Sequence, residues 1–163
     1  MAQAKVKKVI QLGIVVNDVG KIADNYVELF GVNKETIMFF DTRELAGDWK
    51  NTEYMGKPVK FDLKIALISH AGIQFELIEP VGGDDNPYSD FLKNSGGGLH
   101  HVFISFDDYE ESVKALFDKK IPILTSGELL GGAYKFFDLT KELGLIVETA
   151  EVPEDYVESI VTS

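Results

Sequence analysis

Val9-Ile10-Gln11-Leu12-Gly13-Ile14-Val15-Val16, followed by Asn17-Asp18, has a second version at Leu99-His100-His101-Val102-Phe103-Ile104-Ser105-Phe106, followed by Asp107-Asp108. Each run is short, continuous and rich in β-branched or aromatic residues, which favours a buried strand over a helix. Each ends at a residue suited to cap a helix. From Val19 to Phe30, the residues Val19, Ile22, Ala23, Tyr26, Val27, Leu29 and Phe30 recur at helical spacing, and Gly31 stops the run. From Tyr109 to Lys120 the apolar stripe is Val113, Leu116 and Phe117. Setting Gln11 on His101 also sets Asp18 on Asp108, so both helices start in phase and the chain reads as an internal duplication.

The remaining halves agree. Phe61 to Ser69 and Ile73 to Glu79 are strand-like runs joined by His70-Ala71-Gly72, while Ala133 to Leu139 and Leu143 to Thr149 are joined through Thr140-Lys141-Glu142. Phe75-Glu76 matches Val147-Glu148, and each copy then reaches another Glu and a Pro. The fold class is therefore α+β: two βαβββ modules, about 7–80 and 99–151, within a single domain spanning 1–163. The linker, about 81–98, holds a loop at Gly82 to Pro87, a short helix at Tyr88 to Asn94, and the flexible approach Gly96-Gly97-Gly98. Residues 152–163 form an acidic tail with the makings of a terminal helix. Asp41 to Pro58 is polar and without a clear period, and it carries Trp49, Tyr54 and Met55; long loops of this kind are often functional.

Composition narrows the function. A chain of 163 residues with 45% hydrophobic and 26% charged residues suits one packed domain. The net charge of -11 and pI near 4.6 oppose nucleic acid and anionic membrane surfaces as partners, but leave an anionic small molecule open. With no cysteine, any metal must be held by His, carboxylate or amide groups. The apolar run after Met1 to Lys8 is too short for a signal segment or a membrane span, so the expected location is the cytoplasm.

Four polar residues stand in apolar strand surroundings: Gln11, Glu76, His101 and Glu148. Taken singly, each has an ordinary reading, a Glu or Gln facing solvent or a hydrogen-bonded structural His. A buried carboxylate is costly unless paired or metal-bound, and these four fall at equivalent positions of the two copies. Pseudo-twofold packing of the modules would let them converge in one cleft. His100 and His70 read as structural or exposed.

Phe75-Glu76-Leu77-Ile78-Glu79-Pro80, then Tyr88-Ser89-Asp90-Phe91-Leu92, then Gly96-Gly97-Gly98-Leu99-His100-His101-Val102 and Phe106-Asp107-Asp108 resemble the vicinal oxygen chelate superfamily. That superfamily includes glyoxalase I, methylmalonyl-CoA epimerase, extradiol dioxygenases and antibiotic-binding proteins. The resemblance runs from about Val9 to Glu151 and is nearest in look to the epimerases. It implies two modules packed around a shared metal-binding cleft, with Gln11, Glu76, His101 and Glu148 as ligands of one divalent ion. Epimerases usually carry His where this chain has Gln11, whereas some glyoxalase I enzymes have Gln there. One nitrogen and three oxygen donors suit Co, Ni, Zn or Mn.

The implied activity is that of a metal-dependent isomerase abstracting a proton next to a thioester carbonyl, with Glu148 as the general base. Glu53 is the candidate for the second acid or base. The implied partners are a small-molecule substrate, an acyl-CoA in the epimerase reading, and a second copy of the chain in a homodimer. A glyoxalase I-type lactoylglutathione lyase is the alternative enzyme. An iron dioxygenase fits less well, since a His would be needed at Gln11. The rival of another class is a metal-free small-molecule binding protein, in which Trp49 or Tyr54 would stack on the ligand.

Overall fold

The computed structural model describes residues 2–45, 47, 49–82, 86–129 and 132–161. Strand β1 (Val6–Val15) leads into helix α1 (Val19–Phe30), where the Asp18 carboxylate accepts the Lys21 amide at 2.9 Å. Gly31 ends the helix, its N–H returning to the Val27 carbonyl. There follow β2 (Met38–Asp41), β3 (Trp49–Tyr54), β4 (Lys57–Pro58), β5 (Asp62–His70) and β6 (Ile73–Gly82). Helix α2 (Pro87–Ser95) then connects to β7 (Gly98–Phe106) and α3 (Tyr109–Asp118). The cap expected at Asp108 forms as at Asp18, accepting the Glu111 amide at 2.8 Å. The chain continues through β8 (Ile123–Leu129), β9 (Gly132–Leu139), the short α4 (Thr140–Leu143), β10 (Leu145–Ala150) and α5 (Glu154–Val161).

The ten strands among the described residues join one mixed sheet, β2-β5-β6-β1-β7-β10-β9-β8-β3-β4, curled into a half-barrel. Its centre is the antiparallel seam of β1 and β7, where Gln11 pairs with Phe103, Leu12 with Val102 and Gly13 with His101. On either side a parallel strand completes the module: Glu76 pairs with Gly13 and Glu148 with Phe103. The duplicated pattern is thus a local twofold about Leu12 and Val102. Cross-strand partners share a face. Gln74, Gln11, Phe103, Glu148 and Phe136 therefore form one row, with Glu76, Gly13 and His101 in the adjacent row of the same face.

The other face carries most of the helical packing. Val19 and Ala23 of α1 lie on Ala66, Ile68 and Leu77, while Val113 and Leu116 of α3 lie on Phe137, Leu139 and Val147. With α1 and α3 covering one side, the polar row is left to line the cleft. Gly97, at φ 103°, lies so near β1 that an added Cβ would come within 2.7 Å of the Val15 carbonyl oxygen. The glycine run before β7 is thus a close packing point rather than only a flexible approach.

The segment from Asp41 to Pro58, expected as a loop, instead forms a helical turn at Thr42–Glu44 and the β3–β4 hairpin. The hairpin crosses from the first module to the outer edge of the second, pairing Trp49 with Leu129 and Tyr54 with Thr125. A register shift between Lys50 and Glu53, with Asn51 at φ 52°, interrupts the two-residue alternation that would have revealed it. Among the described residues no helix is long and apolar enough to cross a membrane.

Candidate metal centre

His101 sits at the centre of the site, its side chain fully buried. It projects across the seam over Gly13, where a Cβ would stand 2.0 Å from the ring Cε1. Glycine at position 13 is what makes room for the imidazole. The ring Nε2 lies 3.3 Å from Glu76 Oε2 and 3.0 Å from Glu148 Oε2, and these carboxylates are only 17% and 14% exposed. The donor atoms of all three residues lie within 4.8 Å of one another.

Close as they are, His101 Nε2 and Glu148 Oε2 both lack a hydrogen-bond partner. Buried polar atoms are normally paired. Two such atoms beside the Glu76 carboxylate, all within 4.8 Å of one another, fit a divalent cation. Without the cation, burial pulls the His101 pKa down, but Glu148 and then Glu76 outweigh it and push it up to about 9. The Glu148 carboxyl is itself pushed up by burial, with His101 opposing and the Glu76 charge adding to the shift.

Of the four residues expected to converge, the structure brings Glu76, His101 and Glu148 together. Gln11 lies in the adjacent row of the same face and is 5% exposed. Its amide nitrogen donates to Gln74 Oε1 at 2.7 Å, and Gln74 in turn donates to Ser69 Oγ at 3.2 Å. Glu53 is not brought to the group. It alternates with the half-buried Thr52 and Tyr54 along β3, and that alternation turns it outward to solvent.

The structure adds residues that the sequence pattern missed. His100, read as structural or exposed, is buried, with its ring 5.0 Å from Tyr88 and 5.0 Å from Phe91 and its Nδ1 3.0 Å from His101 Nδ1. Burial, and then the neighbouring His101, push its pKa down to about 3. Tyr88 is placed by the start of α2, where the Asn86 side chain accepts the Tyr88 amide at 2.9 Å. Its phenol is pushed well above the usual range by burial and then by the charges of Glu76 and Glu148. From β9, Tyr134 accepts a hydrogen bond from Trp49 Nε1 at 2.9 Å and is pushed up to about 12, chiefly by burial.

Tyr88, Tyr134, Trp49 and Phe136 line a cavity of about 50 Å³ with Glu76 and Glu148. That is room for one or two waters. The site thus offers a cation-binding cluster, a carboxylate of raised pKa, and phenols that stay protonated at neutral pH.

The model of the Glyoxalase/Bleomycin resistance protein/Dioxygenase superfamily matches residues 10–135, well over half of the chain. The chain belongs to this superfamily. Among curated proteins, it is 35% identical over 81 residues to the mitochondrial methylmalonyl-CoA epimerase of Bos taurus, a match covering 47% of this chain and 46% of that protein. The chain spans about half the length of the curated relatives it matches. Its fold is shared with the Mycobacterium tuberculosis methylmalonyl-CoA epimerase at TM-score 0.62 and 13% identity, over 97% of this chain and 96% of the other. A methylmalonyl-CoA epimerase solved with methylmalonyl-CoA and NH4+ superposes at TM-score 0.58 and 17% identity, over 90% and 94% of the two chains.

Proposed function

We propose that this protein is a metal-dependent isomerase of the methylmalonyl-CoA epimerase type, removing and returning a proton at the carbon beside a thioester carbonyl. The observation that carries the reading is the meeting of Glu76, His101 and Glu148 at the wall of a small cavity, with two of their donor atoms lacking a hydrogen bond. A small-molecule binding cleft, mostly apolar with a few orienting polar groups, has no need of two carboxylates and an imidazole converging on one point. The epimerase names of the relatives favour this substrate class over the hemithioacetal of a glyoxalase.

Glu76, His101 and Glu148 would hold the ion, with Gln11 offering its carbonyl oxygen while Gln74 holds its amide nitrogen. A divalent ion there supplies a Lewis acid for the negative charge that develops on the carbonyl oxygen. One nitrogen and three oxygens accommodate Co, Ni, Zn or Mn. Glu148, which has a second oxygen and a pKa raised by burial, takes the proton from the carbon. Inversion needs a donor on the opposite face. That role passes from Glu53 to Tyr88, which lines the cavity and stays protonated at neutral pH. A second copy of the chain is the proposed partner, supported by the exposed Met38 and Phe39 on edge strand β2 and by Leu29 and Phe30 at the end of α1.

Incubation with Co and methylmalonyl-CoA in deuterated water tests the reading. Deuterium should enter at the carbon between the thioester and the carboxylate, and the two epimers should interconvert. Glu148→Gln should abolish both. Tyr88→Phe should keep deuterium entry but lose most of the interconversion. Fully metallated protein that leaves methylmalonyl-CoA unchanged, yet converts the thiol hemithioacetal of methylglyoxal, would make the protein a glyoxalase-type lyase. Inertness toward both substrates removes the enzyme reading in these two forms.

A further inference from the structure

We propose that His100 is a positioning residue that fixes His101 in the one tautomer able to bind a metal ion, through a hydrogen bond between the Nδ1 atoms of the two rings. This rests on the reading of His101 as a ligand. The two Nδ1 atoms lie 3.0 Å apart, in a space that accommodates a single proton. If His100 donates it, His101 Nδ1 is the acceptor and neutral His101 carries its proton on Nε2, the atom facing Glu76 and Glu148. No lone pair then points at the ion. If His101 donates it, Nε2 is free to ligate, and His100 must carry its own proton on Nε2.

Adjacent strand residues ordinarily point to opposite faces. These two rings nevertheless meet with centroids 5.3 Å apart and planes at 86°. What holds His100 in place is α2: its ring stands at 89° to Phe91 and is tilted 52° from Tyr88. Only 7% of the residue is exposed, so it has no room to swing away. Among the described residues, His100 is the hydrogen-bond partner of His101 Nδ1. Metal-bound histidines generally donate their second nitrogen to such a partner, which sets the tautomer and orients the ring. An imidazole in this role, packed by two aromatic side chains, also ties the ligand to the helix that forms one wall of the cavity.

Two variants separate hydrogen bonding from packing. His100→Asn puts Oδ1 close to where Nδ1 stood, keeping the acceptor, whereas His100→Phe keeps the aromatic packing and removes it. Competition for Co against a chromophoric chelator should give the Asn variant an affinity close to the parent's and the Phe variant one roughly 10- to 100-fold weaker. Long-range ¹H–¹⁵N correlation spectra of the metal-free parent, recorded above pH 9 where the His101 ring is neutral, should show His101 protonated at Nδ1 alone and His100 protonated at Nε2 alone. Equal losses in both variants, or parental affinity in His100→Phe, overturn the proposal. So does a proton on His100 Nδ1, which is read on the parent even if a variant fails to fold. A parent that takes up no Co removes the metal-site reading and this proposal with it, while the spectra still report separately whether the Nδ1 contact exists.

Discussion

If His101 ligates the proposed ion, a proton and that ion compete for its Nε2. Its pKa in the metal-free fold is raised from 6.5 to about 9, so its pairing with Glu148 and Glu76 stabilises that fold fully below pH 6.5. The contribution is lost as pH rises through about 9. Metal affinity runs the other way: each ion bound releases the Nε2 proton, so affinity should rise by up to about tenfold per pH unit as pH approaches 9. Calorimetric titration with Co at several values between pH 6 and 8 checks this, and a flat profile would contradict it. Gly13→Ala tests the geometry at the same residue. A Cβ 2.0 Å from the imidazole must displace it, with loss of metal binding and about 1–3 kcal/mol of stability in denaturant titration. Parental metal affinity in that variant would mean that the ring need not lie over Gly13. Glu76, His101 and Glu148 could be read from the sequence because duplication placed them at equivalent positions. Gln74, Tyr88 and the His100 contact could not, because they depend on register between distant strands and on where α2 lands.

The hairpin of β3 and β4 contributes Trp49 to the wall of the cavity. It spans the outer edge of β8, and Trp49 lies 5.6 Å from Phe61 in an edge contact while bonding Tyr134. As the chain's one tryptophan, Trp49 reports directly on the cleft. Adding a non-reactive acyl-CoA analogue to the metal-loaded protein should change its emission, and saturable binding with unaltered emission would place the entrance elsewhere. This hairpin was hard to read from the residues because its alternation breaks at Asn51, whereas α1 and α3 were visible from periodicity and caps. Helix α5 was only partly legible. Its acidic composition was plain, but in so short a segment Val157 and Ile160 form too brief a stripe to show that they pack on Ile10 and Phe103. Tyr156 OH lies 3.5 Å from Gln74 Oε1, so the same helix closes over the amide pair beside Glu76, His101 and Glu148.

The whole molecule is two copies of one module sharing a seam, and the site exists because that seam brings equivalent strands together. Neither module holds the cluster alone: Glu76 comes from the first, His101 and Glu148 from the second. The module pattern was readable because a duplicated sequence states its own symmetry, while the short β2 and the polar, Gly127-interrupted β8 emerge only in the sheet. An anomalous difference map of a crystal grown with Co would locate the ion itself. A single strong peak should lie within roughly 2.0–2.3 Å of His101 Nε2 and of oxygens from Glu76 and Glu148. A map with no peak at that point under saturating Co, or with its strongest peak on other residues, would contradict the metal-site reading.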